Sequence, residues 1–241
     1  GIDFVQVPTT LLSMVDASVG GKVGVNLAQG KNLVGAFHQP RLVWIDAAVL
    51  RTLPKRMISA GMAEVIKAGA IRDRGLLDLL EEEMDELVAL EPRKLLPVLE
   101  RACAIKADVV ARDERESGLR MILNFGHTLG HAVESLSRYR GVLHGEAVAM
   151  GMVYAAQLSV DLGLAPASTR LRLERVIHRA GLPTELPEFP RKSYLSALGV
   201  DKKRKGAHIR FVVLNRLGRA QVVSLTPEEI IPPSSKGASP R

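Results

Sequence analysis

NFGHTLGHAVESLSRYRGVLHGE, residues Asn124 to Glu146, carries three of the six histidines in the chain: His127, His131 and His144. His127 and His131 stand at i and i+4, so a helix places both on one face. One glycine precedes His127 and another separates it from His131, which leaves little bulk to shield the imidazoles. His144 follows a connector containing Gly141 and opens a second apolar run, Gly145 to Leu162. A helix that is apolar nearly all round is buried on most faces. Two helix starts bearing histidines can converge on one point, and a protein builds a metal site from distant residues in that way. Core histidines satisfied by hydrogen bonds are the competing reading.

Around this stretch lies a chain of 241 residues, 46% hydrophobic, long enough for a sizeable core in one or two domains. Aromatics are 4%, while Ala, Leu and Val are plentiful, which favours helix. The net charge of +7 fits a solvated basic surface, a weak affinity for nucleic acid, or a pocket for an anionic substrate. The bases are scattered and no aromatics alternate with them, so no specific nucleic-acid partner is expected. Cys103 is the sole cysteine, which excludes a disulfide framework and fits a reducing, cytoplasmic setting. There is no run of about 18 apolar residues, so no membrane-spanning helix is expected. No secretory signal pattern is visible.

Taken in order, Ile2–Val7 reads as a buried strand bounded by Pro8, and Thr9 and Thr10 can cap a short helix over Leu11–Val15. A chain seldom opens inside a sheet, so a preceding portion is expected. SVGGKVGVN and GKNLVGAFHQP read as two loops. The glycines of the first let backbone approach a ligand around Lys22, although the pattern departs from GxxxxGK[ST]. LVWIDAAVL reads as a strand entering a turn. Helices follow over Met57–Arg72, Gly75–Leu90 and Pro92–Val110. DERESGLR, with Glu116 and Arg120, reads as a charged loop. Ser168–Ala180 is an amphipathic helix stopped by Gly181-Leu182-Pro183. Tyr194–Leu198 is a short helix, and IRFVVL with AQVVSL forms a hairpin around Asn215–Gly218.

Zinc takes imidazole nitrogen and carboxylate oxygen, and a catalytic site leaves one position open. HTLGH alone suggests His127 with His131 as the ligand pair, but it lacks the Glu of HExxH. His127, His144 and one carboxylate satisfy the same chemistry. Glu64, in an apolar helix beside Lys67, is the carboxylate chosen. Glu146 is nearer in sequence but equally suits a first-turn helix acid, and an ordinary surface ion pair also explains Glu64 with Lys67.

Six blocks in order, VPTTLLSMVDASVGGKVGVN, GKNLVGAFHQP, GMAEVIKAGAI, ESGLRMILNFGHTLGHAVE, LHGEAVAMGM and DKKRKG…IRFVVL, resemble the 3-dehydroquinate synthase family. The resemblance implies a phosphate-eliminating carbon–oxygen lyase that uses NAD and zinc, or cobalt. Its substrate is 3-deoxy-D-arabino-heptulosonate 7-phosphate, and its products are 3-dehydroquinate and phosphate. It implies Glu64, His127 and His144 as metal ligands, and His131 as a substrate contact and proton relay, which overrides the i, i+4 pair. It implies Lys67, Lys106, Arg120 and Asn124 as catalytic pocket residues. Lys22, Asn32 and one of Lys202 or Lys203 bind substrate. Thr9, Thr10, Asp16, Lys22 and Lys31 lie near NAD. Cationic and amide donors offset the cost of taking phosphate and carboxylate out of water.

The same resemblance implies a mostly α chain with a small α/β remnant. Residues 1–54 close an N-terminal NAD-binding α/β domain, 55–231 form a mainly helical metal- and substrate-binding domain, and 232–241 are a disordered tail. A homodimer is expected. So is an exposed sheet edge with an apolar patch, together with a lack of turnover by these residues alone. Another sugar-phosphate cyclase, or a catalytically silent chain, are the alternative identities.

Overall fold

The structure, a computed structural model, describes residues 2–27, 30–199 and 208–233; the side chains of 26, 27 and 30–33 are outside that description. Lys202, Lys203, the side chains of Lys31 and Asn32, and the tail from 234 onward therefore lie outside the described residues.

The centre of the molecule is α1 (Lys55–Arg72), in which every residue from Ala60 to Ile71 is buried. It runs among α2 (Arg74–Val88), α3 (Pro92–Arg112), α5 (His144–Asp161) and α6 (Ala167–Arg179). Asp73 ends α1 and starts α2 at once, because its carboxylate accepts from the Leu76 amide at 3.1 Å. The acidic α2 turns Leu76, Leu77, Leu80, Met84 and Leu87 inward and its carboxylates outward. The long apolar run becomes α5, buried on most sides as its composition requires. Its Ser159 hydroxyl donates to Ala155 O at 2.6 Å and accepts the Leu214 amide at 3.0 Å. That bond anchors the expected hairpin, β5 (Ile209–Arg216) with β6 (Arg219–Leu225), on α5. The short helix α4 (His127–Leu136) lies against α5, and α7 (Arg191–Ala197) against α4.

The first fifty residues depart from expectation in detail. The opening strand shrinks to β1 (Val5–Gln6), paired in parallel with β4 (Leu42–Val43). The strand is not buried as read from sequence: Ile2, Val5 and Val7, with Leu42 and Trp44, are exposed, which fits the apolar sheet edge that was also expected. The helix expected at Leu11–Val15 continues into a π-helical turn over Ser13–Ala17, with Thr10 Oγ1 accepting the Ser13 amide at 3.1 Å. The two glycine-rich segments are not loops throughout: Gly20 and Gly21 do turn with positive φ, but strand begins at Lys22. They pair as an antiparallel hairpin, β2 (Lys22–Leu27) with β3 (Gly30–Phe37). Valines alternate along β2 as a strand needs. Gly24 faces Gly35, and a Cβ on Gly35 would stand 2.3 Å from Val23 O. Glycine here serves close strand approach instead of a flexible turn. Beyond β4, Asp46 caps a 3-10 turn over Ala47–Thr52 by accepting the Ala48 amide at 2.9 Å.

Candidate metal centre

Three helices bring the candidate ligands together. Glu64 sits in the middle of buried α1, His127 is the first residue of α4, and His144 is the first of α5. Gly126 starts α4 with φ of 80°, and a Cβ there would stand 2.6 Å from Val148 O, so only glycine lets α4 begin this close to α5. At the next helix start, a Cβ on Gly145 would stand 1.8 Å from Ala60 O. That glycine lets α5 touch α1 and brings His144 to Glu64. Glu146 completes the entry by accepting the Leu143 amide at 2.8 Å and Arg56 Nε at 2.6 Å. The competing carboxylate is therefore a helix-start acid, as one reading of its position held.

His127 Nε2 lies 3.5 Å from Glu64 Oε1, and His144 Nε2 lies 3.8 Å from the same oxygen. One donor atom from each of the three residues falls within 4.8 Å of the other two. Tetrahedral zinc with bonds near 2.0–2.2 Å sets its ligand atoms about 3.3–3.6 Å apart, so small side-chain shifts suffice. Each imidazole has its other nitrogen engaged: His127 Nδ1 is 3.2 Å from Phe125 O, and His144 Nδ1 is 3.4 Å from Glu134 Oε2. A backbone carbonyl only accepts, so His127 carries its proton on Nδ1 and presents the Nε2 lone pair to Glu64.

Glu64 is 3% exposed, and neither of its oxygens has a hydrogen-bonding partner. Lys67, also buried, lies against Oε2 as an ion pair, but off the directions a hydrogen bond needs. The competing reading of these two as a surface ion pair is thus overturned, and the apolar setting expected for Glu64 is what the structure has. A buried carboxylate with open lone pairs is costly unless something else meets them. A divalent cation held by Glu64, His127 and His144 fits that deficit. Burial, with Lys67 and His144 nearby, holds the His127 imidazole well below its usual pKa, so it is the neutral ligand form near pH 7. Burial works against charge on His144 too, but Glu134 and Glu64 outweigh it and its pKa is raised. His131 is exposed, with its ring 5.6 Å from that of His127 and 6.1 Å from that of His144.

The surrounding candidates divide in two. Lys106 joins the centre: its ammonium donates to Asp16 Oδ1 at 2.5 Å and to Asp16 O. Burial pushes the Asp16 carboxyl up, but Lys67 and Lys106 together bring it far below the ordinary aspartate value. Lys22, Asn124 and Arg120 have partners elsewhere. Glu116, in the charged loop between α3 and α4, holds Lys22 in an ion pair and accepts Asn124 Nδ2 at 2.7 Å. Arg120 is buried and donates to Gly20 O at 2.8 Å and Glu114 O at 2.5 Å. Asp113 shapes this loop by accepting the amides of Ser117, Gly118 and Arg120 at 2.8–2.9 Å. Among the NAD candidates Thr9 is exposed, whereas Thr10, Asp16 and Lys22 are each bonded within the chain. No spacing rule could pair Lys22 with Glu116, since 94 positions separate them.

Residues 61–204 match the family model described as 3-dehydroquinate synthase C-terminal, and residues 1–60 the one described as 3-dehydroquinate synthase N-terminal. A 3-dehydroquinate synthase of Thermoanaerobacter pseudethanolicus is 50% identical over 231 residues, covering 96% of this chain and 65% of that protein. The chain thus spans just under two thirds of that curated relative. Among solved structures, 2-epi-5-epi-valiolone synthase from Streptomyces hygroscopicus, with NAD+ and Zn2+ bound, superposes with a TM-score of 0.85 at 32% identity, over 95% of this chain and 64% of that one. The 2-deoxy-scyllo-inosose synthase complexed with carbaglucose-6-phosphate, NAD+ and Co2+ gives 0.84 at 29%, over 95% and 66%.

Proposed function

The chain belongs to the 3-dehydroquinate synthase family, and from that premise we propose that it is the greater part of a 3-dehydroquinate synthase. The reaction converts 3-deoxy-D-arabino-heptulosonate 7-phosphate to 3-dehydroquinate with release of phosphate. The observation that carries the reading is the convergence of Glu64, His127 and His144 on one point beside Lys67 and Lys106. Residues 1–54 then close an NAD-binding domain, 55–231 hold metal and substrate, and the protein acts as a cytoplasmic homodimer. Among the described residues no helix is long and apolar enough to cross a membrane.

Glu64, His127 and His144 would hold zinc or cobalt, which would supply Lewis acidity toward a substrate oxygen, and bound NAD would supply a transient hydride acceptor. The chain's own work is positioning and charge. Lys67 and Lys106 place two ammonium groups where an anionic substrate leaves water, and both already face carboxylates, Glu64 and Asp16. Lys22, Arg120, Asn124, Asn32 and one of Lys202 or Lys203 recognise phosphate and carboxylate. Lys22 and Asn124 reach them by leaving Glu116. His131, exposed beside the ligand histidines, moves a proton between substrate and solvent.

A second reading, another sugar-phosphate cyclase, draws on the two structural relatives. The 50% identity to a dehydroquinate synthase, against 32% and 29% to those cyclases, favours the first. The test uses the protein expressed from its complete reading frame. It should bind one divalent ion per chain, lose it in His127→Ala, and release phosphate with 3-dehydroquinate identified by mass spectrometry. A different carbocycle from a different sugar phosphate would transfer the assignment to the second reading. A metal-free, inactive protein would sink both.

A further inference from the structure

Beside the proposed centre lies a further buried carboxylate. Glu134 is 6% exposed and lies two turns along α4 from His127, on the same face as His131. Its Oε2 stands 3.4 Å from Nδ1 of His144, across from the Nε2 that points to Glu64. Placing a carboxylate in a protein interior is costly, so a buried one is kept with a partner in hand. An ionised carboxylate only accepts, so its hydrogen bond places the proton of His144 on Nδ1. The imidazole is then held with its Nε2 lone pair toward Glu64 and His127.

Resting on the metal-centre reading above, we propose that Glu134 is the positioning residue that orients His144 as a metal ligand. The helix that supplies one ligand, His127, thereby also braces the other, which arrives on a separate helix after a connector. Backbone bonds and Arg56 hold the connector, where Arg138 and Tyr139 have positive φ, but they do not touch the His144 ring, whose side chain is 28% exposed and whose Nδ1 meets Glu134 from the interior. His127 receives the same service from the Phe125 carbonyl, which no side-chain substitution removes.

Outer-sphere partners of this kind change metal affinity about 10- to 100-fold. The experiment is chelator competition for Zn2+, with the visible spectrum of the Co2+ form, on the protein expressed from its complete reading frame. Glu134→Gln keeps an acceptor without its charge and should weaken binding about 10-fold; Glu134→Ala should approach 100-fold. The Co2+ spectrum should change in Glu134→Ala, while circular dichroism of metal-free Glu134→Gln should match the parent and so exclude misfolding. Unchanged affinity and spectrum in Glu134→Ala, with His144→Ala losing the metal, would overturn this inference and leave the metal centre standing. So would a second equivalent of metal in the parent that disappears in Glu134→Ala. That result would make His131, Glu134 and His144, whose donor atoms also lie within 4.8 Å, a ligand set of their own. A parent that binds no metal at all fails at the earlier reading instead.

Discussion

The Glu64 cluster and the Glu116 loop both gather residues far apart in sequence, but they stand in opposite states. At Glu64 the side chains come from three packed helices, and the carboxylate oxygens have no hydrogen bonds. At Glu116 the carboxylate is fully used, binding Lys22 of β2 and Asn124, and the loop is held by Asp113. The first region resembles a cradle set before its ligand arrives. The second must exchange partners to take one. Rigid helices can keep a costly arrangement because the core around them supports it. A charged loop near solvent relaxes onto whatever opposite charge is at hand.

The strongest way to break the contrast is Glu64→Gln. It should abolish tight metal binding. In the metal-free protein it leaves Lys67 buried without its counter-charge, so urea unfolding should show a loss of about 3–5 kcal/mol. A stability equal to the parent would mean that Lys67 never depended on Glu64. Gly145→Ala should come next. Its methyl group meets Ala60 O, α5 must back away from α1, and overpacking of this kind costs about 1–3 kcal/mol. Because His144 moves with α5, metal affinity should fall in parallel; a drop in one without the other would separate helix packing from ligand placement.

The smallest effect belongs to Glu116→Gln. Lys22 is 49% exposed, so losing this ion pair should cost less than about 1 kcal/mol. Burial pushes the Glu116 carboxyl up, but Lys22 and Asn124 bring it net below 4.5. A carboxyl depressed in the folded state contributes stability above its unfolded value and loses it as pH falls through the folded one. The stability difference between parent and variant should therefore be flat near pH 7 and vanish on acidification, as pH falls through the lowered pKa of the folded Glu116 carboxyl. Freed from Glu116, Lys22 should also hold inorganic phosphate more tightly, measurable by calorimetry. Weaker phosphate binding in the variant would show that the carboxylate assists anion recognition instead of competing with it.

The helices were legible because their periodicity and stops are local properties. The Pro92 start of α3 and the Gly181-Leu182-Pro183 stop after α6 read correctly. The β2–β3 hairpin was not legible, since its glycines carry the ordinary signature of loops and only Gly24 facing Gly35 explains them. Glu134 escaped notice for a similar reason: a glutamate in the last turns of an amphipathic helix ordinarily faces water.

What sequence alone determined is the longer helices, the apolar α5, and, through six blocks in order, the family to which the chain belongs; it missed the short helix Pro227–Ile230 and the 3-10 turn Leu119–Asn124. Tertiary structure decided which carboxylate meets the histidines. Glu146 is two residues from His144, yet its oxygens serve the Leu143 amide and Arg56, while Glu64, 80 positions away from His144, stands 3.8 Å from its Nε2. Distance along a chain sets which groups can cap a helix. Distance across a core depends on how closely two backbones pack, and here that rests on a glycine with no Cβ to hold them apart.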